Sequence, residues 1–196
     1  MYKKQLTLQK ILCFLALVSS VVIFLYALGI MTDLYDTLYS TMRNPADLTQ
    51  TDVPGSIVYY NMQGWNAYFL HWSIALILLA CLLFITNTHI RRRYYIGNYI
   101  SIAAFAAANI YLAIDSHGYI ELFKARWQQV DFAALRAHAD LWKTAYTEST
   151  FWFDIHYAVF ALSILVSVGL IVSAIWKVRL MKEEKQLIAA GKGATA

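Results

Sequence analysis

Two histidines lie about one and a half helical turns inside two long apolar runs of the sequence. His71 is in the segment YFLHWSI, six residues after Trp65, and His156 is in FDIHYAV, five residues after Phe151. If both runs enter a membrane from the same side, the two imidazoles lie at similar depth. Two neutral imidazoles on opposite faces of a planar cofactor are ligands for haem iron. The spacing therefore predicts a haem b site formed by His71 and His156, with ordinary membrane-surface histidines and a pH-sensitive or proton-relay role as the alternatives.

Three further residues are expected to contribute to such a site. Trp72 and Tyr157 directly follow the two histidines and supply aromatic surfaces that suit a porphyrin. Asn109 is the strongly polar side chain well inside the third apolar run. Because an amide in hydrocarbon needs a hydrogen-bonding partner, Asn109 is expected to face a bound cofactor, a cavity or another helix.

A metal ion is the second kind of ligand that these residue types suit. His71 with His156 is one candidate pair. Asp115 and His117, which follow the third apolar run, form another candidate set with His156 and Asp154. Carboxylates together with imidazoles suit several divalent metals. The alternative for these acidic residues is solvated groups at helix ends.

The familiar motifs of soluble enzymes are absent from the sequence. It contains no glycine-rich phosphate loop, no H-E-x-x-H and no G-x-S-x-G. It also contains no C-x-x-C-H, which excludes the usual attachment of a c-type haem. The sequence leaves open whether the protein is an enzyme.

The composition indicates what must hold these residues in place. Of the 196 residues, 60% are hydrophobic and only 14% are charged, whereas soluble domains carry about a quarter charged residues. Four apolar runs stand out, at about 11–31, 65–88, 96–114 and 151–176. Each is long enough to cross about 30 Å of hydrocarbon as a helix. The sequence thus predicts a single four-helix membrane domain over residues 1–196.

The distribution of charge predicts the orientation of these spans. Both termini and the turn between the second and third runs carry 11 of the 16 Lys and Arg residues, opposed only by Glu183 and Glu184. The positive-inside rule then places both termini in the cytoplasm, most simply across the cytoplasmic membrane. The positive net charge of +4 reflects this topology and contact with the lipid bilayer, and no nucleic-acid partner is expected.

The two loops on the other side are long, at residues 32–64 and 115–150. In the first, Leu34, Tyr35, Leu38, Tyr39 and Met42 fall on one helical face, and the second has a comparable pattern. The expected fold is an all-α integral membrane protein with four transmembrane helices, both termini inside and two amphipathic helical extracytoplasmic loops.

Through its four spans and the histidines His71 and His156, the chain resembles small membrane cytochrome b subunits. That resemblance implies an electron-transfer subunit that holds haem b and is linked to the quinone pool. Two alternatives remain open: a non-catalytic accessory or scaffold subunit of a larger membrane complex, and an oligomeric channel component. Small residues in the third and fourth runs predict close helix packing, either within the bundle or against a protein partner or a second copy.

Overall fold

The computed structural model describes residues 2–34, 53–88, 96–142 and 148–193. Helix α1 (Tyr2–Gly29) continues into a π-helical turn, Ile30–Leu34. Helices α2 (Ile57–Asn87), α3 (Ile96–Trp127) and α4 (Phe132–Trp142) follow. A single turn, α5 (Phe151–Asp154), leads into the long helix α6 (His156–Gly193). No strand occurs within these four ranges.

Four of the helical segments are long and apolar enough to cross a membrane: Lys3–Thr32, Ile57–Asn87, Ile96–Trp127 and Phe151–Ala190. A helix satisfies its own backbone hydrogen bonds, which is what hydrocarbon requires of a spanning segment. Many large apolar side chains on these helices remain exposed, among them Leu78, Leu165 and Val172, as expected of surfaces in contact with lipid. The all-α class and the four potential spans are therefore confirmed.

The helices are longer than the apolar runs that predicted them. Helix α3 continues to Trp127, although the sequence predicted its end at 114. The third run loses hydropathy after 114 because the helix becomes amphipathic there. Ser116, Ile120, Phe123 and Trp127 are buried at helical spacing, while the residues between them are partly or fully exposed. Helix α2 likewise begins at Ile57, inside the predicted first loop.

Helix α4 occupies part of the predicted second loop. Its first turn is capped by Asp131, whose Oδ1 accepts hydrogen bonds from the backbone N–H groups of Ala133 and Ala134 at 3.0 and 2.9 Å. Such side-chain acceptors satisfy N–H groups that have no partner within the helix. The helix predicted around residues 34–42 lies almost entirely outside the described residues.

The chain divides into two compact units. The first comprises Met1–Ser20, Leu76–Ile110 and Leu162–Ala196, and the second comprises Val21–Ala75 and Tyr111–Ala161.

Buried polar side chains connect the helices of the first unit. Gln9 Nε2 donates to the Asn87 carbonyl at 2.9 Å, and Asn87 Nδ2 donates to Ser101 Oγ at 2.9 Å. Gln5 Nε2 donates to Gln9 Oε1 at 3.1 Å and to the Ser173 carbonyl at 3.3 Å. These bonds join α1, α2, α3 and α6. Because burying apolar surface drives little association between helices in lipid, such bonds and small-residue contacts supply much of the specificity.

The second unit is held by aromatic rings. Trp127 is 1% exposed, and its ring lies 4.9 Å from that of Tyr59 and 5.6 Å from that of Phe153. The Tyr26 ring meets Phe69 and Phe160 edge-on at 5.8 and 6.1 Å. Offset and edge-to-face pairs of this kind stabilise a fold beyond the area they bury. They fix the C-terminal part of α3 and the start of α6 in this unit.

Gly55 is required in the turn that precedes α2. Its φ is +84°, in the left-handed region that favours glycine. A Cβ there would also lie 2.7 Å from the Gln129 carbonyl oxygen. We expect Gly55→Ala to lower the free energy of unfolding by about 1–2 kcal/mol, measured by denaturant titration in detergent micelles. Gly64→Ala is the control, because a Cβ at Gly64 meets nothing within 4 Å.

Candidate metal centre

Three potential metal ligands from α3 and α6 converge in the second unit. His117, Glu121 and His156 each present one ligand atom, and these atoms lie within 4.8 Å of one another. His117 Nδ1 is 2.9 Å from His156 Nε2, and Glu121 Oε1 is 3.8 Å from the same Nε2. His156 is 1% exposed, Glu121 is half-buried and His117 is exposed. The cluster therefore has a buried side and a side open to the surroundings.

Helix α3 places two of these ligands on one face. His117 and Glu121 are four residues apart, so their side chains lie one above the other on the helix. The apolar face of the same segment, including Ile120 and Phe123, is buried. Burial of that face fixes the rotation of α3 and hence the direction in which His117 and Glu121 project.

A break between two helices orients the third ligand. Helix α5 ends at Asp154 and α6 begins at His156. The interruption at Ile155 leaves the Phe153 carbonyl available to a side chain, and His156 Nδ1 makes a short hydrogen bond to it. A carbonyl only accepts, so Nδ1 carries the proton and the lone pair of Nε2 faces His117 and Glu121. Metal-binding histidines are typically oriented by such a bond through the second nitrogen.

Neighbouring polar groups hold the rim of the cluster. Tyr157 donates a hydrogen bond from its hydroxyl to Glu121 Oε1 at 2.8 Å, and its ring lies 4.1 Å from that of His156. Lys124 pairs with Asp154 at 2.5 Å, and Asp154 also accepts a hydrogen bond from Thr150 at 2.7 Å. Lys124 is thus engaged with Asp154, and Glu121 stays available for a ligand bound between the histidines.

Two imidazoles and one carboxylate are a ligand set for first-row transition metals. His₂Glu sets bind Zn²⁺ with a position left for water or substrate, and two-histidine–one-carboxylate sets bind Fe²⁺. With ligand bonds of about 2.1 Å, two nitrogens lie about 3.4 Å apart at the tetrahedral angle preferred by zinc and about 3.0 Å apart at the right angle of octahedral sites. The 2.9 Å between His117 Nδ1 and His156 Nε2 is close to the octahedral separation and shorter than the tetrahedral one. Without an ion, a His117 Nδ1–H donating to His156 Nε2 accounts for the same distance.

The predicted histidine pair is not the pair that the structure brings together. His71 is exposed on α2, and the partner of His156 is His117. Tyr157 does contact His156, whereas Trp72 packs against Tyr68 and Tyr111 with ring centroids 6.2 and 6.0 Å away.

The carboxylates predicted as metal ligands also lie apart from the three convergent atoms. Asp115 lines a separate cavity on α3, with Trp65 and Tyr68 among its walls. Asp154 is bound by Lys124 and Thr150.

Asn109 makes hydrogen bonds to α6 within the first unit. Its Nδ2 donates to the Ser163 carbonyl at 2.9 Å and to Ser167 Oγ at 2.7 Å, and Ser163 Oγ donates to Asn109 Oδ1 at 2.6 Å. Both amide hydrogens and the carbonyl oxygen are therefore engaged. This arrangement matches the helix-to-helix alternative among the three environments predicted for Asn109.

Glu121 is the candidate ligand that the sequence analysis missed. With the third span ended at 114, Glu121 fell in the amphipathic helix predicted for the second loop, which was not joined to the third span, so His117 and Glu121 were not placed on one helical face. The signal that identifies it is the continuation of helical periodicity through Ser116, Ile120, Phe123 and Trp127. That periodicity makes His117 and Glu121 neighbours on one face.

No protein-family model, curated protein or solved structure matches the chain.

Proposed function

We propose that this protein binds a divalent transition-metal ion through His117, Glu121 and His156. The observation that carries the proposal is the convergence of the three ligand atoms within 4.8 Å. The hydrogen bond from His156 Nδ1 to the Phe153 carbonyl supports it, because that bond directs Nε2 toward the other two ligands. Three protein ligands leave a coordination position for water or a substrate.

The proposed orientation follows the distribution of charge. With both termini in the cytoplasm, the segments 32–64 and 115–150 lie on the opposite side of the cytoplasmic membrane. His117 and Glu121 belong to the second of these segments, so the proposed ion is exchanged with the extracytoplasmic side. Bound iron or copper would connect this site with the electron-transfer role expected from the sequence, whereas zinc would not.

Titration of the chelator-stripped protein with Zn²⁺ tests the proposal. We expect one ion per chain and an affinity that falls as the pH is lowered from about 7.5 to about 5.5. The reason is that an imidazole must be neutral to bind a metal ion, so protons compete with the ion. The His71→Ala variant should show the same stoichiometry and pH dependence. Binding that does not change over this pH range, or that requires His71, would contradict the proposal.

Haem b bound by His71 and His156 is the alternative proposal, which rests on the sequence. The buried ring of His156, with the Phe160 ring 5.6 Å away, suits a flat apolar cofactor. His117 and His156 cannot provide the ligand pair, because nitrogens on opposite sides of iron are about 4 Å apart. The visible spectrum of the purified protein decides: a Soret band lost in His71→Ala supports haem, and a colourless preparation that binds Zn²⁺ supports the metal centre.

A role as a subunit of a larger membrane complex is favoured by one surface of α3. Ala103, Ala104 and Ala107 are exposed there, and small residues allow another helix to approach closely in lipid. The proposed occupant is a partner helix or a second copy of the chain. Cross-linking through a cysteine substituted at Ala104 in native membranes tests this role, with a cysteine at exposed Val172 of α6 as the control.

A further inference from the structure

A second potential binding site of the second unit is a cavity between residues of α2 and α3. Its volume is about 420 Å³. Asp115 is the acidic residue of its wall, and five aromatic residues form much of the rest: Trp65, Tyr68, Tyr111, Tyr119 and Phe123. The volume lies in the usual range for small-molecule sites.

The charge of this cavity is negative and unpaired. Asp115 is half-buried. The ion pairs found in the described part of the chain use Glu121, Glu148 and Asp154, so no described cation neutralises Asp115. A carboxylate on the wall of a partly enclosed cavity attracts a positively charged ligand. The cavity therefore favours a cationic ligand.

The aromatic wall determines what kind of cation fits. The Trp65 ring lies 6.3 Å from that of Tyr119 and 5.6 Å from that of Phe123, which also lines the cavity. Ring faces attract cations through their quadrupole, and cages of such rings bind alkylated ammonium groups. A small hydrated metal ion gains less from these walls, because its ligands are oxygen atoms.

We propose that this cavity binds an organic ammonium group, with Asp115 and the surrounding aromatic rings holding the cation. Two sources share this chemistry: a free small molecule such as choline, and the headgroup of a zwitterionic phospholipid. The site is independent of the proposed metal centre, whose ligands do not line the cavity.

Calorimetric titration of the full chain in maltoside micelles, which contain no ammonium group, tests the free-molecule source. Tetramethylammonium and choline are the probes. We expect Asp115→Asn to weaken both affinities at least about tenfold, because it removes the charge and keeps the shape. Tyr119→Leu should also weaken both affinities. Because the Tyr119 side chain is 45% exposed, this substitution is not expected to unfold the protein. Asp154→Asn is the matched control, because Asp154 pairs with Lys124 and does not line the cavity.

Lipid nanodiscs test the headgroup source. Native mass spectrometry would measure retention of phosphatidylcholine against phosphatidylglycerol with the same acyl chains. Retention of phosphatidylcholine that Asp115→Asn abolishes, without binding of the free probes, assigns the site to a lipid headgroup. The proposal is overturned if Asp115→Asn and Tyr119→Leu bind the probes and retain phosphatidylcholine as the unmodified protein does. It is also overturned if the unmodified protein binds neither probe and does not retain phosphatidylcholine in preference to phosphatidylglycerol. The His156→Ala variant should retain ammonium binding, which separates this result from the fate of the metal centre.

Discussion

Replacing His156 with alanine is expected to weaken Zn²⁺ binding at least about 100-fold, equivalent to about 2.8 kcal/mol. The substitution removes one of the two proposed nitrogen ligands. Of the two, His156 is the one whose ring is held in place by a backbone carbonyl, that of Phe153. Groups that merely orient a ligand contribute about 10- to 100-fold to metal affinity, so the loss of a ligand itself should exceed that range. Competition with a chromophoric chelator measures the change.

A graded series of variants makes this expectation specific. His117→Ala should have a comparable effect. Glu121→Gln should have a smaller one, because the amide keeps an oxygen and loses the charge. Tyr157→Phe removes only the hydrogen bond to Glu121, and we expect a loss of about tenfold. His156→Gln, which preserves most of the buried volume, separates loss of the ligand from disturbed packing.

His71→Ala is the control that distinguishes the two histidine pairs. His71 is exposed on α2 and is not one of the three convergent ligands, so the variant should bind Zn²⁺ as the unmodified protein does. If His71→Ala loses the ion and His117→Ala retains it, the trio derived from the structure is wrong and the pair predicted from the sequence replaces it.

Asn109→Ala is expected to lower the free energy of unfolding by about 2–3 kcal/mol. The substitution removes three hydrogen bonds between α3 and α6, to Ser163 and Ser167. Hydrogen bonds between membrane helices average about 0.6 kcal/mol and reach about 1.7 kcal/mol, and the shortened side chain also loses packing. Unfolding by increasing mole fraction of dodecyl sulfate in mixed micelles, followed by tryptophan fluorescence, measures the difference.

A double-mutant cycle isolates the hydrogen-bonded part of that effect. Ser163→Ala alone and combined with Asn109→Ala should give a coupling energy of about 1 kcal/mol. Asn61→Ala is the matched control, because Asn61 is an exposed asparagine of the second unit, and we expect a change within about 0.5 kcal/mol. Additive effects of the two substitutions, or an equal loss in Asn61→Ala, would show that Asn109 stabilises the helices by another route.

The predicted helices and the observed helices differ for one physical reason. Hydropathy detects the part of a helix that is apolar on all sides, and it weakens where one face turns polar. For α3 that change occurs at Asp115, so the apolar run ended at 114 while the helix continued to Trp127. For the same reason, hydropathy did not detect the first two turns of α2. In these turns Val58, Tyr59 and Met62 are buried, whereas Asn61 and Gly64 are exposed.

The sequence by itself determined the all-α architecture and the four segments apolar enough to cross a membrane, and it predicted His156 as a candidate ligand. Uninterrupted apolar runs leave a chain few alternatives in hydrocarbon, because only a helix or a closed barrel satisfies the backbone there. The matching depth of His71 and His156 in two apolar runs suggested a partner for His156, but depth alone does not determine which side chain contacts it. That choice depends on the rotation of each helix about its own axis, which is fixed by packing of side chains far apart in the sequence. The burial of Ile120 and Phe123 turns α3 so that His117 and Glu121 meet His156, and only the tertiary structure contains that information.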